Sequence, residues 1–336
     1  MSATAVRSAS PQPPATSPAG GAPKAPKPRR ASIVLRQGAL IALAAACLFG
    51  FARYGAFLTP ENLLNVLRQN SMVGIVALGM TFVILTGGID LSVGSLLAVA
   101  GIVAAMLSPR GTPVALAGGI GAATLLGLVN GLTIAKGRIQ PFVVTLAMMI
   151  AARGVALAAT GENSVRVDAG ASAFLSLGRG VTPIVLLGIA YLVGWLALKY
   201  STFGRHVYAV GDDLDAARLL GLETDRVVIW TYALSGALAG LAGIVLAARL
   251  GAAQPVAGNG WELDAIAAVV VGGTLLTGGQ GGAGLTLVGV LLLGVILNLL
   301  NLEGTLSPWW QWVIRGAFLL AVVVVQGRVQ RKVEHD

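Results

Sequence analysis

Ten stretches of this chain are apolar for long enough, or nearly long enough, to cross a lipid bilayer. That property decides what the chain can fold into. A membrane-crossing helix needs about 17–25 mostly apolar residues. Such runs occur at 35–54, 71–88, 91–107, 113–135, 139–160, 181–198, 227–248, 263–278, 283–302 and 309–326. The second, third and eighth are short and broken by glycine, so they are expected to be tilted or re-entrant. Charged residues are only 11% of the 336 and apolar ones 56%. Soluble domains carry roughly 25% charged residues, and a soluble protein of this size cannot hide so much apolar surface. The composition excludes a cytosolic enzyme, a nucleic-acid-binding protein and a disordered chain. The expectation is an all-α polytopic membrane protein of about ten transmembrane helices, with the lipid bilayer as its surroundings.

The charges tell the two faces apart. Residues 1–32 hold seven of the 14 prolines and five basic residues, and the first acidic residue is Glu61. This segment reads as a disordered basic tail. The membrane-spanning body is expected over 33–328, with a second tail at 329–336. With the N-terminus in the cytoplasm and strict alternation, the inner segments hold 15 Lys and Arg and the outer ones six. Arg153 and Arg315 fall inside spans. The positive-inside rule therefore favours ten spans with both termini cytoplasmic. Trp309, Trp310 and Trp312 at one interface, and Trp195 and Tyr200 at the other, suit aromatic belts. Cys47, the single cysteine, excludes an internal disulfide and reads as a packing residue.

Chemistry-bearing residues are scarce within the spans. No Gly-x-x-x-x-Gly-Lys-Ser/Thr phosphate loop occurs, so ATP cannot be bound in that manner, and 278–284 reads as a glycine-rich turn. No catalytic or metal-ligating cluster stands out, and no enzyme and no cofactor are expected. The spacings Gly127/Gly131 and Gly236/Gly240 suit close helix packing, although chance gives such spacings in a chain with 46 glycines. Residues 87–94 join two short spans through glycines at membrane depth, where freed backbone groups need protein or a water-filled cavity. Asp90 there has two open readings, a pathway or gate carboxylate and a cap of the third span. The inner segment 199–226 carries nine charged residues. Asp212 and Asp213 suit a helix N-terminus, Arg218 a last turn and Gly221 the position after it, which predicts a short helix over 213–220. A second helix start falls at Thr224. The segment is either a docking element or a solvated connector.

Several stretches carry a family resemblance. They are Asn62-Leu63-Leu64-Asn65-Val66-Leu67-Arg68-Gln69, 87–95, 141–146 with Arg153-Gly154, 204–221, and 253–267. Together they resemble the membrane permeases of monosaccharide ABC importers, the ribose permease group, over about 35–328. The stretches 87–95 and 253–267 are the more specific to sugar permeases, while 204–226 is shared with branched-chain amino acid permeases. The resemblance implies a type II importer subunit of ten spans that pairs with a second permease copy or a paralogue around one pathway. It implies a periplasmic sugar-binding protein as donor and a cytoplasmic ABC ATPase subunit that binds the ATP. By this resemblance Gly211, Asp212, Asp213, Ala216, Arg218 and Gly221 form the ATPase-coupling segment. Asp90, Ser92, Phe142, Thr145 and Asp264 are the pathway or gate candidates. The chain departs from the group in having Gly211-Asp212-Asp213-Leu214 where Gly-Gly-Asn-Glu is frequent, which makes the docking surface more acidic. The alternatives are a branched-chain amino acid or urea permease of the same superfamily and a stand-alone secondary transporter.

Overall fold

A computed structural model describes residues 30–304 and scattered positions between 309 and 324. Residues 1–29 of the tail predicted over 1–32, the tail at 329–336 and most of the tenth predicted span lie outside the described residues. The helices are α1 (Arg30–Arg53), α2 (Pro60–Leu85), α3 (Val93–Leu107), α4 (Thr112–Gly137), α5 (Pro141–Thr160), α6 (Ser172–Ser176), α7 (Thr182–Tyr200), α8 (Thr202–Asp212), α9 (Leu214–Leu219), α10 (Thr224–Leu250), α11 (Trp261–Val271) and α12 (Ala283–Glu303). The only strands among the described residues, β1 (Val165–Arg166) and β2 (Ala252–Ala253), pair antiparallel as a small ribbon. Among the described residues, seven helices are long and apolar enough to cross a membrane. The all-α polytopic expectation therefore holds.

One end of the bundle carries the β ribbon and the other carries α8 and α9. The helices α2, α3 and α10 form the inside, and the outer helices α4, α5 and α7 leave most of their apolar surface uncovered. Such an inverted exposure fits a lipid surround. The two glycine pairs pack against each other along α4 and α10. A Cβ on Gly127 would lie 2.3 Å from the Tyr232 carbonyl oxygen, and one on Gly236 would lie 2.4 Å from that of Ala123. The pairs are thus packing residues and not a chance spacing.

Two of the ten expected spans take a different form. The second is not short: α2 runs for 26 residues from an N-cap at Thr59, whose side chain accepts from the Asn62 N–H. Its first turns carry Asn62, Asn65, Arg68, Gln69 and Asn70, and these polar side chains hid the helix from an apolar window. The eighth is only half a helix. The 11 residues of α11 rise ~16 Å, about half of a hydrocarbon core. The chain nevertheless crosses the bundle between β2 and the 272–282 loop, in non-helical turns over 254–260 and helical from Trp261. Its far side is fixed where the Gly279 N–H donates to the Leu85 carbonyl at 3.0 Å and the Tyr208 hydroxyl donates to that of Gly281 at 3.0 Å. It is therefore a broken crossing and does not re-enter.

The α4–α10 contact gives a controlled test. Gly236→Val should destabilise the protein by about 1–3 kcal/mol, the usual range for overpacking. Gly121→Val, where nothing stands within 4 Å of an added Cβ, should change little. Thermal unfolding of the two variants in the same detergent measures the difference.

Candidate functional site

Two half-crossings meet in the middle of the bundle. α2 ends at Leu85 beside Gly211 at the α9 end, and the chain is non-helical through 86–92 before α3 begins. α3 then climbs to the ribbon end, where Ser108 Oγ accepts from the Asp168 N–H at 2.9 Å. The 254–260 segment descends from the ribbon to meet it. A Cβ on Gly94 would stand 2.2 Å from the Gly258 carbonyl oxygen, so only glycine permits this approach. The first turn of α3 and the approach to α11 therefore touch. Arg153 on α5 holds the descending segment, donating through Nη1 to the carbonyls of Pro255 at 2.5 Å and Ala257 at 2.8 Å. Glu262 Oε1 accepts from the Gly260 N–H at 3.2 Å at the start of α11. Non-helical backbone at this depth needs partners for its freed groups, and these side chains supply part of them, beside the turn bonds from Ala257 N–H to Gln254 and from Trp261 N–H to Gly258.

The 86–92 junction carries a wholly buried polar cluster. Asp90 Oδ1 accepts from the Ser92 N–H at 3.0 Å and the Ser92 hydroxyl at 2.6 Å, and Oδ2 accepts from the Ser235 hydroxyl of α10 at 2.8 Å. Asn130 of α4 donates to Ser92 Oγ at 2.9 Å. The Thr145 hydroxyl on α5 lies 3.2 Å from the Ile89 carbonyl, and the Tyr232 hydroxyl of α10 lies 3.4 Å from it. Asp90, Ser92, Asn130, Thr145 and Ser235 are all buried. The Oδ1 of Asn130 is the one buried side-chain acceptor without a partner among the described residues. One carboxylate thus joins α3 to α10 and, through Ser92, to α4. A carboxylate with three donors on it is well satisfied, which is what an intramembrane acid requires.

At the opposite face of the junction lie α8 and α9. Ser201 caps α8, its Oγ accepting from the Gly204 N–H at 3.0 Å, and Gly211 sits so close to Leu85 that a Cβ would meet that carbonyl at 1.8 Å. Asp213 caps α9, its Oδ1 accepting from the Asp215 and Ala216 N–H groups at 2.9 Å each. Gly221 then turns the chain at φ +78° into α10. Arg218 stands 3.7 Å from Asp215 and 4.0 Å from Asp225. Leu219 and Leu220 are 89% and 81% exposed. α9 therefore presents an apolar tip rimmed by charge.

A third feature lies among α2, α11 and α12. It is a cleft of about 260 Å³ whose walls include Asn65, Gln69, Asn70, Trp261, Asp264, Asn298 and Asn301. Asn62 and Asn298 close its back with a reciprocal amide pair at 3.0 and 2.7 Å. Among the described residues, no group of three His, Cys, Asp or Glu side chains could hold a metal ion.

With that geometry in view, the comparisons with known proteins are direct. Residues 62–323 match the family model of the branched-chain amino acid transport system permease component. The chain belongs to this permease family. The ribose import permease protein of Escherichia coli K12 is 43% identical to the permease, over 88% of this chain and 95% of the relative. The L-arabinose ABC transporter permease protein of Azospirillum brasilense is 37% identical over 80% of each chain. The xylose transport system permease protein of Escherichia coli K12 is 32% identical over 84% of this chain and 89% of the relative. No solved structure matches the chain. Members of the family are transport components, so the permease is not an enzyme, and an ABC sugar permease is supported over an amino acid permease.

The structure divides the candidate residues of the permease into three places. Asp90, Ser92 and Thr145 come together at the junction, Asp264 lines the cleft, and Phe142 lies half-exposed on the outer surface of α5. Asp90 is also not the N-cap of α3. Ser92 holds that position, and Asp90 bonds the Ser92 N–H from two residues earlier. Asp213, Ala216, Arg218 and Gly221 belong to α9 and its turns as expected, whereas Asp212 ends α8. The helix α8 was missed in sequence, although Ser201 followed by Phe203, Val207 and Val210 at helical spacing signals it. Asn130, Ser235, Asn298 and Asn301 were missed because each has only apolar or glycine neighbours on either side in a long apolar helix. The signal was available, since a polar residue at such a depth marks a buried partner or a cavity.

The junction yields a graded prediction. Asp90→Leu strips the acceptor from three donors, each costing about 1–3 kcal/mol when buried and unmet, so the variant should be strongly destabilised. Asp90→Asn keeps one oxygen and should be destabilised less. Thermal melts of the purified proteins rank the two, and equal melting temperatures would contradict the cluster's bonding role.

Proposed function

We propose that the chain is the transmembrane subunit of an ATP-driven importer and forms the pathway for a monosaccharide, most simply a pentose. The observation that carries this reading is the match along 95% of a ribose import permease, with arabinose and xylose permeases beside it. A periplasmic sugar-binding protein delivers the sugar, and an ABC ATPase subunit supplies the nucleotide site that this chain lacks. A second permease copy or a paralogue completes the pathway, and the uncovered apolar face of α5, where Phe142 lies, suits such a contact. The protein sits in a bacterial inner membrane with both termini and the α9 end in the cytoplasm, as the distribution of Lys and Arg favours.

The coupling element in this reading is α9. Its cap at Asp213 and turn at Gly221 fix a short helix whose exposed Leu219 and Leu220 enter a groove of the ATPase. Burying each leucine is worth about 1.5–3 kcal/mol. Arg218 serves differently from a direct docking charge. Its ion pair with Asp225 and its Nε bond to the Thr224 hydroxyl tie α9 to the start of α10, so motion of the helix reaches the membrane bundle. Asp90, Ser92 and Thr145 form the gate end of that path, because α8 reaches Leu85 directly before the junction.

Proteoliposomes that hold the permease, the ATPase and the binding protein test the reading. ATP-dependent uptake of D-ribose, L-arabinose or D-xylose is expected, and ATP turnover by the purified permease alone would contradict it. Leu219→Asp with Leu220→Asp should reduce uptake at least about tenfold at matched abundance, the counterpart of roughly 1.4 kcal/mol or more of lost docking. Arg218→Glu, which sets a third carboxylate beside Asp215 and Asp225, should leave the ATPase bound but uncouple hydrolysis from uptake.

A further inference from the structure

We propose that the cleft among α2, α11 and α12 binds the ring of a neutral monosaccharide within a single permease chain. This inference rests on the reading of the chain as a monosaccharide importer and adds a site to it. Amide side chains recur along α2 at 62, 65 and 69, which is helical spacing, and along α12 at 298 and 301. They turn a wall of two otherwise apolar helices into a row of hydrogen-bond donors and acceptors. Asn62 and Asn298 satisfy each other, and Asn70 donates to the Val66 carbonyl at 2.7 Å. Asn65 and Gln69 do neither. Both are exposed to the cleft, and neither has a polar partner among the described residues.

The ligand class follows from the lining. A primary amide offers two donors and two acceptor lone pairs without net charge, which matches a hydroxyl that both gives and accepts. Trp261 adds a large apolar ring surface beside these amides, suited to the carbon face of a sugar ring. A lipid tail would leave the amides without partners. The volume of about 260 Å³ lies just below the roughly 300–1,000 Å³ of sites for drug-sized ligands, as fits a single sugar ring. Gly294 makes the arrangement possible: a Cβ there would stand 2.4 Å from Nδ2 of Asn70 and push that amide off the wall.

The test uses the full-length permease in lipid nanodiscs without its partners, with D-ribose, L-arabinose and D-xylose as probes. Saturation-transfer NMR should show magnetisation passing to the ring protons of at least one of them. The signal should fall at least about fivefold in Asn65→Leu with Gln69→Leu and in Trp261→Leu. In the assembled transporter the same variants should slow uptake while ATP hydrolysis stays coupled to α9. The single changes Asn65→Leu and Gln69→Leu, on an exposed face, serve if the double variant does not fold. Import of a sugar by the parent transporter with no transfer signal from the parent permease would overturn this inference alone, as would variants that keep both signal and uptake. Failure of the assembled parent transporter to import any of the three sugars would overturn the importer reading and the site with it.

Discussion

Backbone at membrane depth has no water to bond to, and the structure is arranged around that constraint. Two crossings abandon helical geometry midway, at 86–92 and at 254–260, and each must find partners for its freed N–H and C=O groups. The solutions are mutual. Gly94 and Gly258 bring the two segments into backbone contact, Arg153 takes two carbonyls of one, and Thr145 and Tyr232 approach the Ile89 carbonyl of the other. The Asp90 carboxylate then ties the junction to α10. Helices such as α4 and α7, which bond internally throughout, need no such help and can face lipid. The polar residues of the interior are therefore concentrated where the helices stop.

How much was legible in the sequence depended on whether an element signals itself locally. α4, α5, α7 and α10 were visible as long apolar runs, and their ends fell within a few residues of the expected bounds. α9 was visible through Asp213, Arg218 and Gly221, because caps and turn glycines act over a single turn. The first half of α2 was not, since Asn62, Asn65 and Gln69 look like loop residues until α12 is placed beside them. α11 looked like a span because 263–278 is apolar, but apolarity does not reveal that the helix stops at Val271 and the rest turns back through glycines. The sites were less legible still. Asp90 meets Ser235 across 145 positions and Ser92 meets Asn130 across 38, and no spacing rule links residues so far apart. The cleft joins α2 to α11 and α12, which lie more than 180 positions further along the chain.

The two polar regions of the permease are chemically distinct. At the junction each donor already has an acceptor, and a carboxylate is enclosed by hydroxyls from the chain itself. In the cleft, neutral amides stand beside an aromatic ring, and two of them lack a partner among the described residues. The first arrangement suits a part that moves as one unit with α3 and α10, and the second suits a surface that exchanges partners. Their separation explains why Asp90 and Asp264, both acids near span ends in the sequence, lie in unlike surroundings. One is sealed by Ser92 and Ser235, and the other stands in the wall of an open space.

The contact between α2 and α12 has a mechanical consequence. The two helices run antiparallel and are fastened near both ends, by the Asn62–Asn298 amide pair and by the hydroxyls of Thr81 and Thr286 at 2.7 Å. The fastenings are 19 residues apart on α2, ~28 Å along its axis. Sliding one helix past the other by a turn, about 5.4 Å, would break both at once and leave the Thr81 and Thr286 hydroxyls only the carbonyls of Ala77 and Gly282 on their own chain segments. Rotation of either helix about its own axis would do the same. α2 and α12 therefore behave as a single stiff beam, and any change in the width of the space beside them has to come from movement of α11, or of the wall at Ile314 and Gly316, against that beam.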